Sequence, residues 1–149
     1  MSVKFKNYNQ FMGDLKKTMV DGAELNIRRA MTKSAMLVDT TAKMSILRGS
    51  KSGSIATKYN PSRTHQQSAA GEAPASDTGF LANSISHEVI IKASGQNKEF
   101  IGVVSASADY AIHLEFGTTN MEARPFLRPA LISNRRKIEA IFRKQGIIK

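Results

Sequence analysis

A chain of 149 residues with a 41% hydrophobic share has the size of one domain and can bury a substantial core. The absence of cysteine excludes disulfides, a thiol nucleophile and thiolate metal sites, and no apolar run approaches the ~20 residues that cross a bilayer. Net charge is +10, which favours polyanions or acidic protein partners.

In residues 1–20, Phe5, Tyr8, Phe11, Met12, Leu15 and Met19 recur at three- and four-residue steps, predicting a first short helix. Asp21-Gly22 interrupts the pattern, and Asp21 with Glu24 reads as a capping box opening a second helix. On that long helix Ala23, Ile27, Ala30, Met31, Ser34, Val38 and Thr41 form a narrow stripe that must pack on a sheet or another helix. Its end is expected near Arg48-Gly49. Residues 49–76 are rich in Ser, Gly, Ala, Gln and Thr, with Ile55 and Tyr59 as the only sizeable apolar residues. So long a stretch without periodicity reads as a flexible surface loop, or as an arm that orders against a neighbouring subunit.

After the turn Asp77-Thr78-Gly79, Phe80-Leu81 begins a short helical or extended link. Ile85, His87, Val89 and Ile91 then alternate with Ser86, Glu88, Ile90 and Lys92, the pattern of a strand. Gly95-Gln96-Asn97-Lys98 suits a hairpin turn into a second strand, Glu99–Ala106, where Gly102 marks a close backbone approach or a bulge.

Asp109 is placed to cap a short helix carrying Tyr110, Ala111, Leu114 and Phe116, closed by Gly117 in a left-handed conformation. A third strand over Glu115–Thr118 is the competing reading. The last helix opens with Pro125 or Pro129 at its first position, where no N–H is needed, and ends at Gly146. Leu127, Leu131, Ile138, Ile141 and Phe142 fall on one side of it, and Arg128, Ile132, Arg135, Arg136 and Arg143 about 120° round. From Arg124 to Lys149 there are eight Lys/Arg against one acid, Glu139.

Catalytic signals are sparse. His65, His87 and His113 stand in no metal-ligand spacing, and Asp109 and Glu115 do not share a helix face as a paired acid and base would. Ser84, Ser105 and Ser107 lack a nucleophile elbow, and there is neither a Walker loop nor GxGxxG. No catalytic residue, cofactor or metal is expected, and the chain does not read as an enzyme. Glu115 and Arg124 read either as an ion pair fixing the turn between them or as a solvated pair contributing ~0–1 kcal/mol. Arg128, Arg135, Arg136, Lys137, Arg143 and Lys144 form the candidate DNA- or partner-facing basic face, although aromatic interleaving and a helix-turn-helix pattern are missing.

Two segments carry a resemblance. Tyr110-Ala-x-x-x-Glu115-Phe116-Gly117-Thr, followed by Ala-Arg124-Pro125-Phe126-Leu-Arg-Pro129-Ala-Leu, resembles a small family of tailed-phage proteins. Its members are minor tail components, neck proteins or tail-completion proteins of long-tailed, non-contractile phages. Upstream, Thr78-Gly79-Phe-Leu81-x-x-Ser84-Ile resembles the family's second signature, in the family's order, the pair spanning roughly residues 74–131. The resemblance implies a structural virion protein at the head–tail junction, made in the host bacterial cytoplasm and joining tail to head as a homo-oligomeric ring. That ring would be a hexamer, or matched to a dodecamer. Its implied partners are other neck and tail proteins, with genomic DNA passing through the channel and no membrane involved. A tail-terminator ring and a small basic nucleic-acid-binding protein are the alternatives. The expected fold is a single α+β domain, with a long N-terminal and a C-terminal helix packed on a small antiparallel sheet. The signature residues would serve as scaffold, with Phe116, Pro125 and Phe126 anchoring the core.

Overall fold

The computed structural model describes residues 8–59, 62–95 and 97–148. A helix, α1 (Tyr8–Arg48), is followed by a hairpin of β1 (Ile55–Tyr59) and β2 (Ser62–Gln66) and a short helix α2 (Phe80–Asn83). A longer hairpin, β3 (Ile85–Ser94) and β4 (Asn97–Ala106), then leads to α3 (Ala111–Phe116) and α4 (Leu127–Lys144). Both hairpins are antiparallel, so the α+β architecture expected from the sequence is the one observed.

The expected break at Asp21-Gly22 does not occur. α1 is continuous over 41 residues, and Asp21 and Glu24 do not form a capping box. A mid-helix glycine costs about 1 kcal/mol, which the flanking Met, Leu, Lys, Ala and Arg residues outweigh. Gly13 and Gly22 have open space where a Cβ would stand. Phe5, assigned to the first helix, lies outside the described residues. At ~1.5 Å per residue α1 is roughly 60 Å long, and residues 13–23 are all exposed. Their stretch of α1 runs out beyond the body, past Glu24, whose carboxylate pairs with Lys98 near the tip of the β3–β4 hairpin.

Most of the stripe read from the sequence is covered: Ala30, Ser34 and Val38 are buried and Ile27, Met31 and Thr41 half-buried, whereas Ala23 is exposed. The stripe continues through Ala42 and Ile46 into a cluster with Leu81, Ala82, Ile85, Ala108, Ala111, Phe126 and Ala130. The β3–β4 ribbon lies on α1 in unbroken register from Ile85↔Ala106 to Ser94↔Asn97. Gly102 therefore marks a close approach and no bulge: a Cβ there would stand 3.3 Å from the Met31 side chain. Asp39, buried on α1, fastens the ribbon, with His87 Nδ1 at 2.6 Å and Lys43 Nζ at 2.8 Å from its oxygens.

α4 packs on α1 through small and polar residues. Ala130 and Asn134 are buried, and the Asn134 amide donates to Thr41 Oγ1 and to the Ala130 carbonyl, both at 2.8 Å. Leu131, on the apolar side read from the sequence, is more than half exposed, because the face toward α1 is centred on Ala130 and Asn134. Gly146, at φ 69°, closes the helix as expected: its N–H donates to Arg143 and that of Ile147 to Phe142, the paired bonds of a Schellman motif.

Residues 49–76 are not a structureless loop. They carry the β1–β2 hairpin, whose strands bury no apolar face and so lack the alternation by which strands are recognised. Its base is tied down by Lys51, which donates to the Ser45 and Ala73 carbonyls, and by Glu72. The Glu72 carboxylate accepts the Ser52 hydroxyl and the Ser52 and Ala69 N–H groups. These bonds, the Ser52 hydroxyl first, hold the Glu72 carboxyl below the usual carboxylate range, and burial pushes the Lys51 ammonium down.

Candidate functional site

The segment joining α3 to α4 is built around Glu115. Its Oε2 accepts the N–H groups of Phe126 (2.8 Å) and Leu127 (3.0 Å), and its Oε1 that of Arg128 (2.8 Å). α4 begins at Leu127 with Phe126 as its N-cap residue, whose side chain caps nothing. The third helical position is Pro129, which has no N–H, so every free donor of this helix start is either bonded to Glu115 or absent. The carboxylate also sits at the positive end of the helix dipole.

Several expectations are corrected here. Neither Pro125 nor Pro129 stands at the first helical position; Pro125 precedes the cap and Pro129 is third. Glu115 forms no ion pair with Arg124; its carboxylate instead accepts three backbone N–H groups. Asp109 does not cap α3; Tyr110 is the N-cap residue and no side chain bonds there. Residues Ala111–Phe116 are helical, which removes the strand alternative, and Thr118 and Met121 pair in a tight bridge. Gly117 has φ 78° with an extended ψ of 179°, so it reverses the chain without adopting the left-handed helical conformation. A Cβ there would lie 2.9 Å from the Met121 carbonyl and from the Ala123 nitrogen. Phe126 is a core anchor at 1% exposure, Pro125 is half-buried, and Phe116 is 75% exposed and anchors nothing.

The two signatures converge in space. Thr78, Gly79 and Leu81 of one line the same pocket, of about 260 Å³, as Tyr110, Leu114 and Arg124 of the other. Gly79 takes φ 78° at the start of α2, and Ser84 closes that helix by donating its hydroxyl to the Leu81 carbonyl. Residues 74–77 form more of the pocket wall, and the arm adds to it through His65, Gln67 and Ser68. Nothing in the sequence pointed to those three, since they lie in the segment without periodicity. The Nε of Arg124 is buried and has no hydrogen-bond partner.

On the body lies a second, larger concavity, an apolar groove of about 860 Å³ between α1, β4, α3 and α4. Met31, Val103, Ile112, Phe116, Leu131 and Phe142 contribute to its walls, and Ile112, Phe116 and Leu131 are 60%, 75% and 54% exposed. The periodicity of α4 put Leu131 and Phe142 on one side of the helix, the side that faces this groove, but gave no sign of the groove itself. Arg128, at its edge, Arg135, Arg136, Lys137, Arg143 and Lys144 are all exposed, as expected of a basic face, with Arg135 3.4 Å from Glu139. Of the histidines, His87 serves Asp39, His65 lines the signature pocket and His113 is exposed. Among the described residues, no three His, Cys, Asp or Glu side chains are grouped to hold a metal ion, and no helix is long and apolar enough to cross a membrane.

No family model, curated protein or solved structure matches this chain.

Proposed function

We propose that the chain is a structural subunit of the head–tail junction of a tailed phage, working by assembly and without catalysis. Copies would join head to tail around a closed ring, each offering one surface to the next. The observation that carries this reading is a pair of uncovered apolar surfaces on one molecule. α1 runs past the body with Leu15, Met19 and Val20 exposed, Met19 at 67%, while the groove beside Phe116 and Leu131 stands open. Met12, Leu15 and Met19 follow the spacing with which an amphipathic helix lies in a hydrophobic groove. The projecting start of α1 from one copy is the natural occupant of the groove on its neighbour. Two different surfaces meeting in this way make a heterologous contact, which closes only as a ring or runs on as a filament. The two phage-like signatures support the same reading, and the exposed basic face of α4 would serve DNA passing through the channel.

Native mass spectrometry of the purified protein tests the assembly. A single discrete oligomer supports the ring, and a monomer at every concentration up to about 100 μM, well above ordinary micromolar affinities, overturns it.

A further inference from the structure

We propose that the pocket joining the two signatures is a carboxylate-binding site centred on Arg124. This inference stands apart from ring assembly and uses neither the groove nor α1. Arg124 is held by its backbone, whose N–H donates to the Leu114 carbonyl at 2.7 Å. Its side chain lines the pocket, and the buried Nε–H has no acceptor. A guanidinium N–H removed from water and left unbonded is costly, so an arrangement that keeps one is a place where an acceptor belongs. Among the described residues, no acceptor is bonded to it. Glu122, the nearest acid in sequence, is exposed and makes no pair with Arg124; Glu115 bonds the start of α4, and Asp77, a carboxylate on the pocket wall, binds Lys58.

The geometry selects the kind of anion. An arginine that presents Nε and a terminal nitrogen side by side matches the two oxygens of one carboxylate. The Ser76 and Thr78 hydroxyls stand on the same pocket wall, whereas Pro74, Leu81 and Leu114 offer apolar surface to a short methylene chain. At the rim the rings of Phe80 and Tyr110 lie 6.4 Å apart. Among the described lining residues Arg124 is the one permanent cation, with His65 and the opposing charge of Asp77 on the same wall, too little positive charge for a dianionic phosphate. A volume of about 260 Å³ holds one glutamate-sized side chain. The carboxylate could come from an acidic side chain of another protein or from a free small carboxylic acid.

NMR of the full-length ¹⁵N-labelled protein tests the site through the Arg124 Nε–H resonance itself. The probes are glutarate, a glutamate residue blocked at both ends, and inorganic phosphate at matched ionic strength. Saturable movement of that resonance by either carboxylate, with half-saturation on the order of 1–10 mM, supports the proposal. Tighter binding of glutarate points to a free acid, and equal or tighter binding of the blocked glutamate points to a protein side chain. The shift should vanish in Arg124→Lys, which keeps the charge but loses Nε. It should also vanish in Ser76→Phe, which obstructs the pocket and leaves Arg124 in place. No saturable shift from either carboxylate, or an equal or larger one from phosphate, overturns the assignment.

Discussion

Glu115 caps a helix that begins twelve residues after it: its carboxylate accepts the N–H of the N-cap residue Phe126 at 2.8 Å, and Phe126 is the most deeply buried aromatic residue of the core. One side chain thus fixes the direction in which α4 leaves the turn and seats the anchor at its head. Charge-assisted bonds to otherwise free donors contribute about 1.5–3 kcal/mol each at best and are not additive. Glu115→Ala should therefore cost about 2–4 kcal/mol in chemical denaturation. Glu115→Gln, which keeps an acceptor but loses the charge, should cost about half as much. Equal stability of all three proteins would show that the cap contributes nothing.

Gly117 makes the turn that carries Glu115 to Phe126. A side chain there meets a positive φ and two backbone atoms at 2.9 Å. Gly117→Ala should destabilise by about 1–3 kcal/mol, more than the usual effect of removing glycine from a loop, which stabilises. An unchanged melting temperature would contradict the close approach.

Asp39 joins α1 to the ribbon through His87 and Lys43, and both partners are about one-third exposed. Solvent screening reduces the worth of such pairs, but the carboxylate itself is buried. Asp39→Ala should cost about 1–3 kcal/mol. His87→Ala should cost less, since Lys43 still pairs with the aspartate. The reverse order in denaturation would place the ribbon's attachment in His87 packing.

The base of the arm should respond to acid. Glu72 has its folded-state carboxyl lowered by the Ser52 hydroxyl and by the Ala69 and Ser52 N–H groups. Its contribution is therefore present above the ordinary value of about 4.5 and is lost as pH falls through the lower folded value. The Ser52 and Ala69 amide resonances should move together below pH ~4.5, and this movement should be absent in Glu72→Gln. Movement centred above that pH would contradict the lowered carboxyl.

The apolar surfaces predict the behaviour of assembly variants. Leu15→Glu and Phe116→Asp place a charge on exposed positions that hold no core contact, so each protein should keep its fold and melting temperature within about 0.5 kcal/mol. A charge buried unpaired in an interface typically costs more than 2 kcal/mol, so each should lose the oligomer. Oligomers unchanged in both variants would remove α1 and the groove from the contact.

Much of the fold was legible because local pattern and tertiary environment agree there. Ile85, His87 and Val89 alternate because one face of β3 rests on α1, and Gly146 ends α4 because only a positive φ closes that helix. Asp21-Gly22 misled because capping residues signal a helix start only where the chain enters from outside, and here it was already helical. The β1–β2 arm was invisible because neither of its faces buries an apolar row. The roles of the residues in the two phage-like segments depend on distance in space. Glu115 was paired in reading with Arg124 across the turn, whereas its partners are three backbone donors that carry no sequence mark. Phe116 was expected to anchor the core as part of the signature scaffold, yet it faces outward beside the groove.

The most direct test of the proposed head–tail role is electron microscopy of phage lysates produced with this reading frame disrupted and then complemented. The account predicts DNA-filled heads and separate, finished tails in the disrupted lysate, joined virions on complementation with the unaltered gene, and continued separation with Phe116→Asp. Joined, infectious virions in the absence of the protein would contradict it.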